Sequence, residues 1–504
     1  MRSPRRRLIA GLLLTPLLSG CFASSGDGDG ASASGSSGSG GGARLRVAMA
    51  FVPTQNFSPY GQDAFHLSRL GVAEGLTRLD LDGSVAPALA TSWKSGNKGR
   101  SWVFTLREAT FQDGGDVTPK AVADALTHAT EAEPLPAALS GVELTAEAAG
   151  GNQVRVSTEA ADPVLPQRLS NPSLAVLSPK AYAKQGTVNP VGTGTGPFEL
   201  TKITGDTEAT LDRFDGYWGG RAEASGIDAK FVADGAARSN ALRTGAADLI
   251  QAVPVAQIAS LDKGTVHETN TARNISLYLN TGSGAFADAG LRAAAREAVD
   301  VSVLAKDVYE GYAEPAQGIY GPALSWAAGK RIEPAGRAEA TDPDGESITI
   351  ATHVRWPELA ESAQVLQQQL QDAGFKVKLV VRDYARLESD LLAGTFDAVL
   401  NSRNVMLDTG DPVTVLDSDY TCEGTYNLSQ LCDKAVDEAV AEAQAVTDPA
   451  ARQDAAMRAE AAVLATDAEI PVVHLKHALG IAASVKGAVL DPYERALVGT
   501  ATRR

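Results

Sequence analysis

Two kinds of side chain that often carry chemistry are scarce in this sequence, which has six histidines and three cysteines in 504 residues. The histidines are scattered, and only His474 and His477 stand close together. Pro471-Val472-Val473 before them opens a strand-like run, in which a spacing of three sends the two rings to opposite faces rather than onto one metal ion. No Gly-x-Ser-x-Gly elbow occurs, and no carboxylate pair stands apart from the many surface acids. The sequence therefore assigns no catalytic residue, no metal and no cofactor. The glycine run Gly192-Thr193-Gly194-Thr195-Gly196 lacks the Gly-Lys-Ser/Thr ending of a phosphate loop. It leads into the strand-like Pro197-Phe198-Glu199-Leu200 and reads as a tight turn. Positive charge is also in deficit, with 45 Lys and Arg against 61 Asp and Glu and a formal net charge of −16. That balance argues against nucleic acid and against direct adhesion to anionic lipid. Finally, the only long apolar run covers residues 8–18, too short to span a bilayer as a mature helix but suited to a secretory signal.

What is present begins with that signal. Arg2, Arg5, Arg6 and Arg7 precede the apolar run, and Leu18-Ser19-Gly20-Cys21 resembles the lipobox of bacterial lipoproteins, which are cut before the cysteine and acylated on it. The resemblance implies a signal peptide at 1–20 and an acylated Cys21 that anchors the chain to the outer, extracytoplasmic face of the cell membrane. Several acyl chains hold a protein to a membrane where one does not. The Gly/Ser-rich stretch to residue 43 lacks apolar side chains to offset its ordering entropy and reads as a flexible linker. With Cys21 consumed, Cys422 and Cys432 remain as an even pair in an oxidising compartment. A disulfide there, stabilising by about 3 kcal/mol, is weighed against two free thiols or a metal pair.

The body is 44% hydrophobic and 21% charged, enough to bury one or two large cores, so two lobes are expected. Ile348-Thr349-Ile350-Ala351 reads as a strand. Leu359, Ala363, Leu366, Leu370 and Ala373 then recur at helical spacing, with Gly374 placed as a stop. Phe375, Val377, Leu379 and Val381 alternate as a second strand, a helical pattern covers 384–392, and residues 396–400 make a third strand. This β-α-β-α-β order predicts a parallel sheet, in which ligands sit beyond the carboxyl ends of the strands, after Ala351 and Leu400. The first half is richer in short strands, such as 101–106 and 153–157. It adds a helix from Pro119 capped by Thr118, and a further helix is expected over 291–299.

A series of motifs in order resembles the large peptide and nickel solute-binding proteins of ATP-driven importers. They are EGLTRLDLDGSVAPALATSW (74–93), WVFTLREATFQDGGDVTPKAVADAL (102–126), NPVGTGTGPFEL (189–200), RFDGYWGG (213–220), ALRTGAADL (241–249) and LRAAAREAVDVSVLAKDVYEGYAEPA (291–316). Two departures are visible: a short segment around 131–137 and an extra Thr-Gly in the glycine motif. Trp93, Trp102 and Trp218 lie in these motifs and are assigned to packing.

The resemblance implies an α/β, two-lobed periplasmic-binding-protein-like fold with a β-rich first lobe and a doubly wound second lobe joined by a hinge. Lobe I would cover 44–278, with a small β-rich subdomain at about 94–188, lobe II would cover 279–469, and 470–504 would return to lobe I. It implies a receptor and not an enzyme. The partners expected are a short peptide or other small solute and the transmembrane subunits of an ABC permease, with the receptor itself a monomer. A nickel chelate is the alternative ligand, and an exported hydrolase the alternative class. Asp408-Thr409-Gly410-Asp411-Pro412 is similar to the acidic segment with which peptide receptors hold the α-ammonium, Asp408 taking the matching position beside Asp411. After the first parallel strand, Arg355 is placed to take the peptide carboxylate, with Trp356 next to it. The alternatives are a turn-forming aspartate at 408 and a solvated surface charge at 355.

The anchoring expectation is directly testable: Cys21→Ser should leave the protein uncleaved or released into the medium, and unchanged membrane fractionation of that variant would refute it.

Overall fold

Strand-forming residues separated by helical periods take shape, in the computed structural model, as one long mixed sheet and a smaller antiparallel one. The structure describes residues 42–504 apart from Gln185 and Arg355. The expected signal segment, Cys21, most of the linker and Arg355 therefore lie outside the described residues.

The β-α-β-α-β reading is realised as Ser347–His353, Pro357–Asp372, Lys376–Arg382, a helical turn with the helix Glu388–Leu392, and Ala398–Asn404. Ser347–His353 lies between the other two strands and runs parallel to both. The helix Pro357–Asp372 forms because Leu359, Ala363, Leu366 and Leu370 make one apolar stripe, fully buried against Ile348, Ile350 and Leu400 of the sheet. It ends where Gly374 takes φ +107, a conformation that a residue with a Cβ rarely adopts.

In the first half, Ala90–Gly96, Ser101–Leu106, Gln153–Thr158 and Leu144–Ala148 make a four-stranded antiparallel sheet. The helix Pro119–Thr130, capped by Thr118 accepting from the Ala121 N–H, buries Val122 and Leu126 with Phe104, Val154 and Val156 of that sheet. Trp93, Trp102 and Trp218 are partly buried against the same core. The glycine motif is a turn that meets another backbone: a Cβ at Gly196 would stand 2.3 Å from the Gly71 carbonyl. Gln112, from the Phe-Gln-Asp-Gly motif, ties the two segments together by donating to the carbonyls of Val72, Gly196 and Phe198.

Two long strands, Val266–Leu279 and Glu469–Ile481, unite everything. They pair antiparallel from Val266 opposite Gly480 to Tyr278 opposite Glu469, and the register breaks between Asn270 and Asn274. On one side of the break the pair joins Ala398–Asn404 and the parallel strands. On the other, Gly480 and Ile481 pair with Leu249 and Ile250, which continue through Leu45–Met49 and Gly226–Phe231 to Glu208–Arg213 and Phe198–Thr204. A C-terminal segment closes the break: the Ala272 N–H donates to Pro492 O, and the Asp491 carboxylate accepts from the N–H groups of Tyr493, Arg495 and Ala496. Leu497 and Val498 then bury beside Leu45 and Val47. His474 and His477 sit three apart on the second long strand, as expected, and burial pushes each imidazole down to about 4.

Glu469 opens that strand fully buried, hydrogen-bonded by the Tyr420 hydroxyl. Burial, with the nearby Asp419 and Glu460 charges in the same direction, pushes its carboxyl up to about 7. Because the folded group holds its proton more tightly than the unfolded one, its contribution is present at low pH and is lost as pH rises from about 4.5 to about 7. Urea denaturation should show the wild type losing roughly 3 kcal/mol relative to Glu469→Gln across that window. A difference independent of pH would contradict the assignment.

Candidate functional site

The parallel strands end at His353 and Asn404, and alternation along them sorts the side chains beyond the core onto two faces. His353, Asn401 and Arg403 share one face. Nε2 of His353 lies 3.1 Å from Asn401 Oδ1, and Asn401 Nδ2 donates over 3.4 Å to the Tyr426 hydroxyl. That hydroxyl is 2.5 Å from the Tyr384 hydroxyl, and Tyr384 also donates to Glu388. The Tyr426 ring lies beneath the Arg403 guanidinium, 4.7 Å from its centre. Tyr426 arrives on the loop closed by the bond between Cys422 and Cys432, the pair expected from cysteine count.

Arg403 reaches Asp408 at 2.8 Å and Asp419 at 2.7 Å. Burial alone would lower the Arg403 pKa, but the two carboxylates raise it well above its ordinary value, so the guanidinium stays charged. Of the two acids that share this guanidinium Asp408 is the more open, with 26% of its side chain exposed against 3% for Asp419. Its backbone is held separately, because the Leu407 and Asp408 carbonyls accept from Asn171 Nδ2 and Leu407 O also accepts from Arg495.

The second face carries Arg273, Ser402 and Asn404. Arg273 donates to Glu494 at 2.6 Å and to Ser402 at 3.3 Å, and Asn404 also donates to Glu494. Burial would raise the Glu494 pKa, but Arg273 overcomes it and holds the carboxyl far below the usual range. Trp356 stands 5.8 Å from the Arg273 guanidinium and meets Phe51 edge to face at 5.5 Å. Phe51 follows Leu45–Met49 in the other half of the sheet, so the two rings meet from opposite halves.

Of the residues expected from sequence, Asp408 and Trp356 thus both stand beyond strand ends but belong to different faces. Arg355 lies outside the described residues. Asp411 is engaged elsewhere: it caps the helix Pro412–Tyr420, and both its oxygens accept from Arg452, at 2.7 and 2.8 Å, in a pair buried on both sides. Sequence reasoning missed Arg403, Tyr426, Arg273 and Glu494. Arg403 was within reach of the strand-end rule, two residues after Asn401. Glu494 gave no local signal, because its partner is 221 residues away.

Among the described residues no helix is long and apolar enough to cross a membrane, and no three His, Cys, Asp or Glu side chains group as a metal site. Residues 84–427 match the bacterial extracellular solute-binding proteins, family 5, and the chain belongs to that family. It is 28% identical over 327 residues to the glutathione-binding protein GsiB of Salmonella paratyphi A, covering 62% of this chain and 64% of that one. The chain thus spans about 64% of the length of that curated relative. It is 24% identical over 401 residues to the nickel-binding protein NikA of Staphylococcus aureus, covering 77% and 79% of the two chains. Among solved structures, NikA from Staphylococcus aureus with Ni(L-His)2 superposes with TM-score 0.76 at 22% identity, over 92% of this chain and 100% of that one. The oligopeptide-binding protein AppA from Bacillus subtilis with a nonapeptide gives 0.76 at 17% identity, over 90% and 97%. The fold is the two-lobed α/β architecture of periplasmic binding proteins.

The different duties of the two aspartates predict different costs. Asp411→Ala strands the buried Arg452 and removes a helix cap, and should lower unfolding free energy in urea by about 3 kcal/mol or more. Asp408→Ala leaves Arg403 its Asp419 partner and should cost about 1 kcal/mol or less. Equal losses would contradict this division.

Proposed function

We propose that this chain is the lipid-anchored receptor of an ABC importer, capturing short peptides between two lobes and delivering them to the permease. Lipidation at Cys21 and attachment to the outer face of the membrane belong to this proposal, as does a monomeric receptor. The lobes are 44–278 with 470–504, and 279–469, and we place the hinge inside the two long strands, at their break in register. A solute that binds the closed arrangement better than the open one shifts the molecule toward closure by the difference in affinity.

The observation that carries the peptide reading is Asp408. It lies on the loop after a parallel strand, it is the open member of an acid pair that outnumbers its guanidinium, and it is backed by main-chain bonds that fix it in place. An ammonium drawn from water needs such a charged acceptor. Relatives named for glutathione, itself a tripeptide, favour the same class. A nickel chelate is the second reading, favoured by the greater share of this chain that the nickel-binding relative covers.

Calorimetry with di- to pentapeptides on wild type and Asp408→Ala tests it. The variant should lose roughly 2 kcal/mol or more of binding free energy, the scale for removing one member of a desolvated charge pair. Equal peptide affinities in the two proteins, or a wild type that takes up only a nickel–histidine chelate, would refute the peptide reading.

A further inference from the structure

The second face of the cleft holds an arginine that makes no ion pair among the described residues. Arg69 ends the short helix Ala64–Arg69 and is only 7% exposed. Its Nε donates to the backbone carbonyl of Glu494, and its guanidinium lies between the rings of Phe51 and Phe65, at 5.7 and 5.6 Å. Among the described residues its Nη1 and Nη2 have no hydrogen-bond partner. The two nearby acids are already engaged. The Glu494 carboxylate accepts from Arg273 and Asn404, and the Asp491 carboxylate accepts from three backbone N–H groups. Burial lowers the Arg69 pKa and Arg273 lowers it further, while Glu494 and Asp491 oppose this. The two Nη groups of Arg69 are not among the buried atoms left without a partner, so an incoming anion can reach them beside a second guanidinium.

Arg273 has capacity to share in that task. Its bonds to Glu494 and Ser402 use three of the five N–H groups of a guanidinium. Above the two arginines, Phe51 and Trp356 meet edge to face, one ring over each cation. The rings come from opposite halves of the sheet, so a group held here touches both.

We propose that the guanidinium groups of Arg69 and Arg273, beneath the Phe51–Trp356 ring pair, form a carboxylate-binding corner of the solute cleft. This rests on the receptor reading above and extends it. With Asp408 the open carboxylate on one face and the unpaired Nη groups of Arg69 on the other, the cleft suits a zwitterion, the peptide's ammonium at one end and its carboxylate at the other. A bare cation finds only the Asp408 side favourable.

The test compares acids with their amides on the mature protein by calorimetry and thermal unfolding, using trialanine against its C-terminal amide and phenylacetate against phenylacetamide. The wild type should favour the acid by about tenfold, and Arg69→Gln should reduce that preference to about twofold or less. Arg69→Lys, which keeps the charge, should retain part of the preference, and the wild-type ratio needs no variant to fold. Equal binding of trialanine and its amide to the wild type overturns the corner and leaves the peptide reading standing. Failure of every peptide, with phenylacetate still stabilising the wild type but not Arg69→Gln, upholds the corner and overturns the peptide reading. No response to either carboxylate overturns the corner.

Discussion

Val266–Leu279 and Glu469–Ile481 lie antiparallel over almost their whole lengths, and the rest of the main sheet is hydrogen-bonded outward from one side or the other of this pair. The pair passes from one half of the main sheet to the other. The irregularity between Asn270 and Asn274 lies where it does so. A break of this kind leaves backbone groups without ladder partners, which is expensive unless another segment supplies them. Pro492 does so for Ala272, and the Arg273–Glu494 pair fastens the same segment from the side-chain direction. The candidate site lies next to the break, so the groups that close the break also border that site.

Charge is divided across the sheet in a way that follows from alternation alone. Neighbouring residues of Ala398–Asn404 point to opposite faces, so Arg403 meets two acids on one side while Ser402 and Asn404 meet Arg273 and Glu494 on the other. Main-chain carbonyls hold other cations: Arg238 donates to those of Val232, Ala233, Gln251 and Ala252, and Arg495 to those of Ser170, Met406 and Leu407 and to the Ser170 hydroxyl, its buried Nε being left without a partner. Cations held by carbonyls keep a charge that no bonded carboxylate cancels.

Much of the architecture was legible in sequence because it is local. The apolar stripe of Pro357–Asp372, the alternation of the parallel strands and the Thr118 cap each depend on residues a few positions apart. The site was legible only in part. Asp408 stood in a recognisable loop after a strand, whereas Arg69 and Glu494 meet across 425 residues and neither lies in a motif that announces a ligand. Asp411 shows the opposite difficulty. Its sequence neighbourhood, Asp-Pro at a helix start, fits both a ligand contact and an N-cap, and only the arrival of Arg452 in the folded chain decides which duty its oxygens perform.

The C-terminal return also has a kinetic side. The strand Leu45–Met49 finds its neighbours only after Gly226–Phe231 and Leu249–Ile250 exist, and the latter pair needs Ile481 on its other edge. Contacts of such long sequence separation carry their loop-closure entropy before they return any energy, which makes folding slow. A chain built this way cannot complete its main sheet until its last strand is present, so the two halves of that sheet are joined only once nearly the whole chain has been made.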